Sequence, residues 1–171
     1  SSKYNLLEMK NFILSKSKLD VDTAIILGSG MGAFADRLDN PTNISYKDIP
    51  GYPLSTVKGH SGELSIGSMK NISLIVAKGR FHYYEGYDMD TITLPVRLFH
   101  SLGVKKLIIT NAAGSLSLSL PPGQMMIIDS HMDCTFRDSL FVPEKQNSKK
   151  YHDPSYIKKA FNCSKKIGIS V

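Results

Sequence analysis

The densest run of reactive side chains lies between Gly79 and Gly86, where the sequence reads Gly-Arg-Phe-His-Tyr-Tyr-Glu-Gly. If this run is extended, Arg80, His82 and Tyr84 share a face, because alternate side chains of a strand point to the same side. Arginine presents a planar fork that grips a phosphate through two parallel hydrogen bonds. Histidine donates a hydrogen bond or a proton, and tyrosine reaches a sugar hydroxyl. Glu85 is placed to orient His82 or Arg80. The plainer reading is a polar strand end closed by an ion pair, but convergent polar groups beside glycines favour an anion site.

A second segment points the same way. Ile25-Ile-Leu-Gly-Ser-Gly-Met-Gly32 is an apolar run, a glycine turn and a helix start, an arrangement that aims backbone N–H groups and the positive helix end at an anion. Ser29 adds a hydroxyl at the tip. The spacing matches neither G-x-G-x-x-G nor G-x-x-x-x-G-K-[ST], so neither a dinucleotide fingerprint nor a nucleoside-triphosphate loop is supported. Gly59-His60-Ser61-Gly62 places a histidine in a loop, as a structural turn or as a further ligand. Thr110-Asn-Ala-Ala-Gly-Ser115 follows an apolar run with small residues, which allow either close approach of a ligand to backbone N–H groups or tight packing. His100 and His152 have no partner evident in the sequence. His131 lies near Asp129 and Asp133 without a metal-ligand spacing, so no metal is assigned.

The elements that must hold these residues alternate. Residues 5–14 have helical periodicity, Thr23–Leu27 reads as a strand, and 33–38 as a short helix. Residues 64–69 and 72–77 are strand-like and separated by Lys70-Asn71, which predicts a hairpin. Residues 88–102 are helical by pattern, with Pro95 as an irregularity and Gly103 as the stop. Residues 106–110 and 125–129 are expected to be buried strands. Asp153 as cap and Pro154 in the first turn open a last amphipathic helix that Gly168 ends. Residues 169–171 then resemble the start of a strand, so the chain is expected to be incomplete at its C-terminus. This alternation around a central hairpin argues for an α/β sandwich with a mixed sheet, in one domain over 1–171.

Composition sets the outer bounds. The chain has 171 residues, 42% of them hydrophobic and 21% charged, which excludes wholesale disorder and suits one core. It contains no apolar run of the ~18 residues a membrane helix needs, and its first residues do not read as a secretory signal. The net charge of +6 would suggest nucleic acid if it were spread, but the stretch from Pro143 onward carries seven lysines against Glu144 and Asp153. Most of those lysines fall on the wet side of the last helix, so a solvated face is expected rather than a polyanion-binding patch. Cys134 and Cys163 have neither disulfide-framework nor metal spacing, and read as reduced thiols of a cytoplasmic protein.

Taken together, Gly28-Ser29-Gly30-x-Gly32, Gly59-His60-Ser61-Gly62, Gly79-Arg80-x-His82-x-Tyr84-Glu85-Gly86 and Thr110-Asn111-Ala112-Ala113-Gly114 resemble, in kind and order, the trimeric purine nucleoside phosphorylases. The resemblance is clearest from about residue 10 to 140. The sister family acting on methylthioadenosine typically carries threonine in place of Ser29 and lacks the histidine–tyrosine stretch, so the inosine/guanosine branch is implied. So is a three-layer α/β/α sandwich with a central mixed sheet, of the phosphorylase/hydrolase-like kind. By the same resemblance Ser29, His60, Arg80, Phe81, His82 and Ala112 would hold phosphate, and Tyr84, Asn111 and Ala113 would touch the ribose or nucleoside. His82 and Glu85 would be the catalytic pair, Glu85 supporting His82. Inorganic phosphate would be co-substrate, with no cofactor or metal. The partners implied are the purine nucleoside, phosphate and two further copies in a homotrimer, with no nucleic acid and no membrane. Two departures stand out: Ser115 replaces a usual second glycine, and the family's C-terminal, purine-reading portion is absent. The rival expectation is an inactive homologue that keeps anion binding and oligomer formation.

Overall fold

A computed structural model describes residues 2–18, 20–54, 62–133, 144–146 and 151–171. Two compact units make up the chain, Ser1–Ala113 and Gly114–Val171. The first opens with helix α1 (Leu6–Lys16), whose N-cap Asn5 accepts a hydrogen bond from the Glu8 amide, with Glu8 in its first turn and Lys16 in its last. Both charges oppose the helix dipole in the favourable sense. Met9 and Ile13, four residues apart, are its buried stripe.

Strands β1 (Thr23–Leu27), β2 (Asp39–Ser45), β3 (Glu63–Met69), β4 (Ile72–Lys78) and β5 (Lys106–Ile109) form one mixed sheet in the order β2-β3-β4-β1-β5. β2, β3 and β4 run antiparallel, whereas β4, β1 and β5 run parallel. The β3–β4 hairpin turns through Lys70 and Asn71, both at positive φ (49° and 65°), which is what a two-residue turn between right-twisted strands requires. The alternation within β1 and β4 divides the core. Ala24, Ile26, Ile75 and Ala77 face Met9, Ile13, Leu94, Leu98 and Phe99, while Ile25, Leu27, Leu74 and Val76 pack with Ala35 and Leu38. One face of the sheet is therefore covered by α1 and by α3 (Leu94–Ser101). The other is covered within this unit by the 3₁₀ turn Gly32–Arg37. This is the expected α/β architecture, with helices flanking a mixed sheet.

Several expected elements differ in detail. The helix expected at 33–38 is a 3₁₀ helix over Gly32–Arg37, with Leu38 already extended. The 88–102 helix divides into α2 (Met89–Ile92) and α3, with Pro95 in the first turn of α3, where its missing N–H costs nothing. β2 carried no strand signal: its sequence, Asp-Asn-Pro-Thr-Asn-Ile-Ser, is polar and includes Pro41. It lies at the sheet edge with a register shift between Asp39 and Thr42, where a proline and a bulge are tolerated. β5 is not the buried strand expected, since Ile108 and Ile109 are 52% and 54% exposed.

In the second unit, β6 (His131–Asp133) pairs antiparallel with β7 (Glu144–Gln146), and helix α4 (Pro154–Ile167) follows. Asp153 caps α4 by accepting from the Ser155 amide, and Gly168 ends it in the left-handed conformation at φ 70°. The strand expected at 125–129 is absent: these residues join no sheet, and Met125 and Met126 are exposed. Residues 169–171 form no strand either. In both stretches the apolar run pairs with no strand among the described residues. Lys158, Lys159, Lys165 and Lys166 are exposed, as the solvated-face reading requires.

Candidate active site

β4, β1 and β5 are adjacent and parallel, so their C-terminal ends open on one edge of the sheet. In such sheets the crevice beyond those ends is where ligands bind. Three of the singled-out segments leave from this edge: the glycine turn after Leu27, the Arg80 stretch after Lys78, and residues 110–113 after Ile109.

Direct bonds tie them together. The Gly28 amide donates to Thr110 Oγ1 at 2.8 Å, and Arg80 Nη1 donates to the Thr110 carbonyl at 2.8 Å. A Cβ on Gly28 would lie 2.5 Å from the Thr110 carbonyl oxygen and 2.7 Å from Asn111 Cα, so the strand ends approach this closely only because Gly28 has no side chain. Gly30 holds φ 82° beside Ser29, which is exposed at the tip of the turn. Asn111, Ala112 and Ala113 are exposed on the same edge.

The Arg80 stretch is organised by Glu85. Its Oε1 accepts from the His82 amide at 2.9 Å and meets His82 Nδ1 at 2.6 Å, and the carboxylate side chain is only 5% exposed. An ionised carboxylate can only accept, so Nδ1 carries the proton and Nε2 is directed away from Glu85. Arg80 Nε donates to that Nε2 at 3.4 Å. Partial burial lowers the Arg80 guanidinium from its ordinary value, yet guanidinium keeps its charge throughout the range proteins experience. Tyr84 is exposed and its ring stacks on His82 at 4.8 Å and 19°. The turn Tyr83–Glu85 closes with Gly86 at φ 84°.

The structure thus brings Ser29, Arg80, His82, Glu85, Tyr84 and residues 111–113 to one edge. Phe81 points elsewhere: its ring is 3% exposed and packs against Tyr52 and Tyr87, so only its main chain can face a ligand. His60 lies outside the described residues. Sequence reading passed over two supports. Tyr46, buried, donates from its hydroxyl to the Gly79 carbonyl at 2.8 Å and so fixes the residue before Arg80. Thr110 reads in the sequence as a small residue after a strand, yet its hydroxyl and carbonyl hold both neighbouring walls. Neither link spans a short sequence interval, so no local pattern could report it.

In the second unit His131 Nδ1 and His152 Nε2 lie 2.8 Å apart with stacked rings, a partnership across 21 residues that the sequence did not suggest. Among the described residues no group of three or more His, Cys, Asp or Glu side chains gathers as a metal site would need. Cys163 is a free, exposed thiol, and Cys134 lies outside the described residues. No described helix is long and apolar enough to cross a membrane.

Comparison with known proteins agrees with this geometry. The chain is 46% identical over 121 residues to purine nucleoside phosphorylase 1 of Bacillus subtilis, covering 71% of this chain and 45% of that protein. It is 36% identical over 167 residues to the purine nucleoside phosphorylase of Rattus norvegicus, covering 92% of this chain and 58% of that one. Among solved structures, the Schistosoma mansoni purine nucleoside phosphorylase in complex with acetate superposes with a TM-score of 0.65 at 40% identity, over 70% of this chain and 44% of that chain. The same organism's enzyme in complex with inosine gives 0.63 at 39%, over 70% and 41%. The chain therefore spans about half the length of the relatives it matches. The model of the phosphorylase superfamily matches residues 22–169, from the residue before β1 to beyond α4 with every strand of both sheets inside it, and the chain belongs to that superfamily.

Proposed function

We propose that this chain takes part in the phosphorolysis of purine nucleosides of the inosine/guanosine type, giving free purine and ribose 1-phosphate. The observation that carries the reading is the meeting of the glycine turn, the Arg80–His82–Glu85 group and residues 110–113 at the C-terminal ends of β1, β4 and β5. The names of the relatives support the substrate class, as do the solved relatives holding inosine or ribose-1-phosphate.

Phosphate binds between the Ser29 turn, the Arg80 fork, the Nε2 side of His82 and the Ala112 amide, with the Phe81 main chain at its border; His60 remains a ligand expected from the sequence alone. Glu85, accepting from Nδ1–H, fixes the His82 ring so that Nε2 faces the anion and accepts from the P–O–H of hydrogen phosphate. Tyr84, Asn111 and Ala113 border the ribose. A phosphate oxygen forms a bond to the anomeric carbon as the carbon–nitrogen bond to the base breaks, and that electron pair leaves with the purine. The sugar passes through an oxocarbenium-like state, for which the bound phosphate is both nucleophile and counter-charge. What the protein contributes is positioning and electrostatic stabilisation, so neither metal nor organic cofactor enters. The family match across both units supports one phosphorylase domain, here read as working in a cytoplasmic homotrimer.

The test is release of hypoxanthine from inosine with and without inorganic phosphate. Phosphate-dependent release is expected, with ribose 1-phosphate in equal amount. The rival reading is a homologue that binds phosphate without turning nucleoside over, since the groups gathered at this edge are chiefly anion ligands. Phosphate binding with no release at any phosphate concentration would establish that reading instead.

A further inference from the structure

Thr110 occupies an unusual place in the hydrogen-bond ladder between β1 and β5. Its amide donates to the Ile26 carbonyl at 3.0 Å, the regular rung of a parallel pair. The next regular rung would run from the Gly28 amide to the Thr110 carbonyl. It does not: the Gly28 amide donates to the Thr110 hydroxyl at 2.8 Å, and the carbonyl accepts instead from Arg80 Nη1, also at 2.8 Å. The side chain has taken over a main-chain rung, and the carbonyl so released grips the guanidinium.

We propose that Thr110 is a positioning residue for the anion site, its hydroxyl satisfying Gly28 so that its carbonyl is free to aim Arg80. The inference rests on the reading of this edge as a phosphate site. Its physical basis is competition for one acceptor. Without the hydroxyl, the Gly28 amide falls back on the regular rung to the Thr110 carbonyl, since buried amides seek acceptors. Arg80 then shares or loses its anchor. The close approach of the two strand ends makes the exchange possible, because the Thr110 carbonyl oxygen already sits 2.5 Å from where a Gly28 Cβ would be. Thr110 itself need not touch phosphate.

The test measures affinity for inorganic phosphate by isothermal titration calorimetry in the whole chain and in Thr110→Val, Thr110→Ala, Thr110→Ser, Arg80→Ala and the Thr110→Val/Arg80→Ala double variant. Thr110→Val, nearly isosteric but without the hydroxyl, is expected to weaken phosphate about tenfold, the scale of one charge-assisted hydrogen bond. Thr110→Ser, which keeps the hydroxyl, should stay within about twofold of the parent on the same scale. In the Arg80→Ala background the valine change should have no further effect, because the group it aims is gone. A purely structural role would not give that coupling. Parent-like affinity in Thr110→Val, or an equal loss with and without Arg80, overturns the proposal. Loss of fold by circular dichroism in both Thr110→Val and Thr110→Ala also counts against it, since a rung needed for folding is not an aiming device. Unchanged affinity in Arg80→Ala would instead sink the reading of the site as a phosphate cradle, an outcome separate from failure at Thr110 alone.

Discussion

At the scale of single residues, the candidate site is a chain of dependence with Arg80 in the middle. Its Nη1 rests on Thr110 and its Nε on His82, while His82 is held by Glu85, whose carboxylate is 5% exposed. A guanidinium fixed at two points presents its remaining donors in one orientation, which suits a bidentate grip on a dianion. Removing it should therefore cost more than removing any group that only supports it. Arg80→Ala is expected to lower phosphate-dependent turnover by on the order of 10²-fold or more, with phosphate affinity falling in step. Glu85→Gln keeps an acceptor for the His82 amide but loses the charge opposite Nδ1, so its loss should be several-fold smaller than that of Arg80→Ala. Phosphate titrations of the two variants check the order. An Arg80→Ala protein whose phosphate dependence stayed within a factor of two would remove Arg80 from the site.

At the scale of elements, the parallel trio β4-β1-β5 does the positioning, and it depends on one missing side chain. Gly28→Ala would place a methyl 2.5 Å from the Thr110 carbonyl oxygen and 2.7 Å from Asn111 Cα, both main-chain atoms that cannot swing aside. The strand ends must separate, at a cost of about 1–3 kcal/mol in stability and with loss of the Gly28–Thr110 bond. Chemical denaturation together with phosphate binding would register both, and an alanine variant of parent-like stability and affinity would contradict the close approach. A second element-scale contact ties the N-terminus to α2. Asp88 meets Lys3 at 2.8 Å and caps α2 through the Thr91 amide and hydroxyl. The Lys3 ammonium first, then Thr91, holds the Asp88 carboxyl well below the usual carboxylate range. A carboxyl depressed on folding stabilises the fold at every pH above its unfolded value, about 3.9, and that contribution fades as pH falls from there toward the folded value. Asp88→Asn should thus melt lower than the parent at pH 7, with the gap closing in strong acid. A gap that persisted unchanged in strong acid would trace the effect to the cap geometry, not to the charge. Much of this layer was readable: β1 and the β3–β4 hairpin declare themselves by apolar runs and by Lys70-Asn71. β2 did not, because an edge strand with a bulge needs neither alternation nor β-branched residues. The apolar run at 125–129 misled: it pairs with no strand among the described residues, and composition alone does not name a partner.

At the scale of the whole molecule, the sheet has two dissimilar edges. β2 is polar and carries Pro41 and a register shift, the usual devices that keep an edge from pairing with another chain. β5 has no proline or register shift, and its protection within its own residues is its shortness and Lys106 at its start. It is bonded on one side to β1, and Ile108 and Ile109 are 52% and 54% exposed on it. Short though it is, an edge that combines available backbone groups with β-branched apolar side chains is a template for strand addition. Self-association through β5 would be concentration-dependent and open-ended, which sets it apart from the fixed mass of the proposed trimer. Ile108→Lys places a charge on that edge without touching Arg80, His82, Glu85 or Thr110, so it should narrow the distribution and leave phosphate affinity within about twofold of the parent. Sedimentation velocity over a range of concentrations distinguishes the cases. A broad distribution that Ile108→Lys collapses to one species supports association through β5. A single species of three chains in both proteins would place the contact elsewhere and β5 outside it, and unchanged heterogeneity in the lysine variant would acquit this edge.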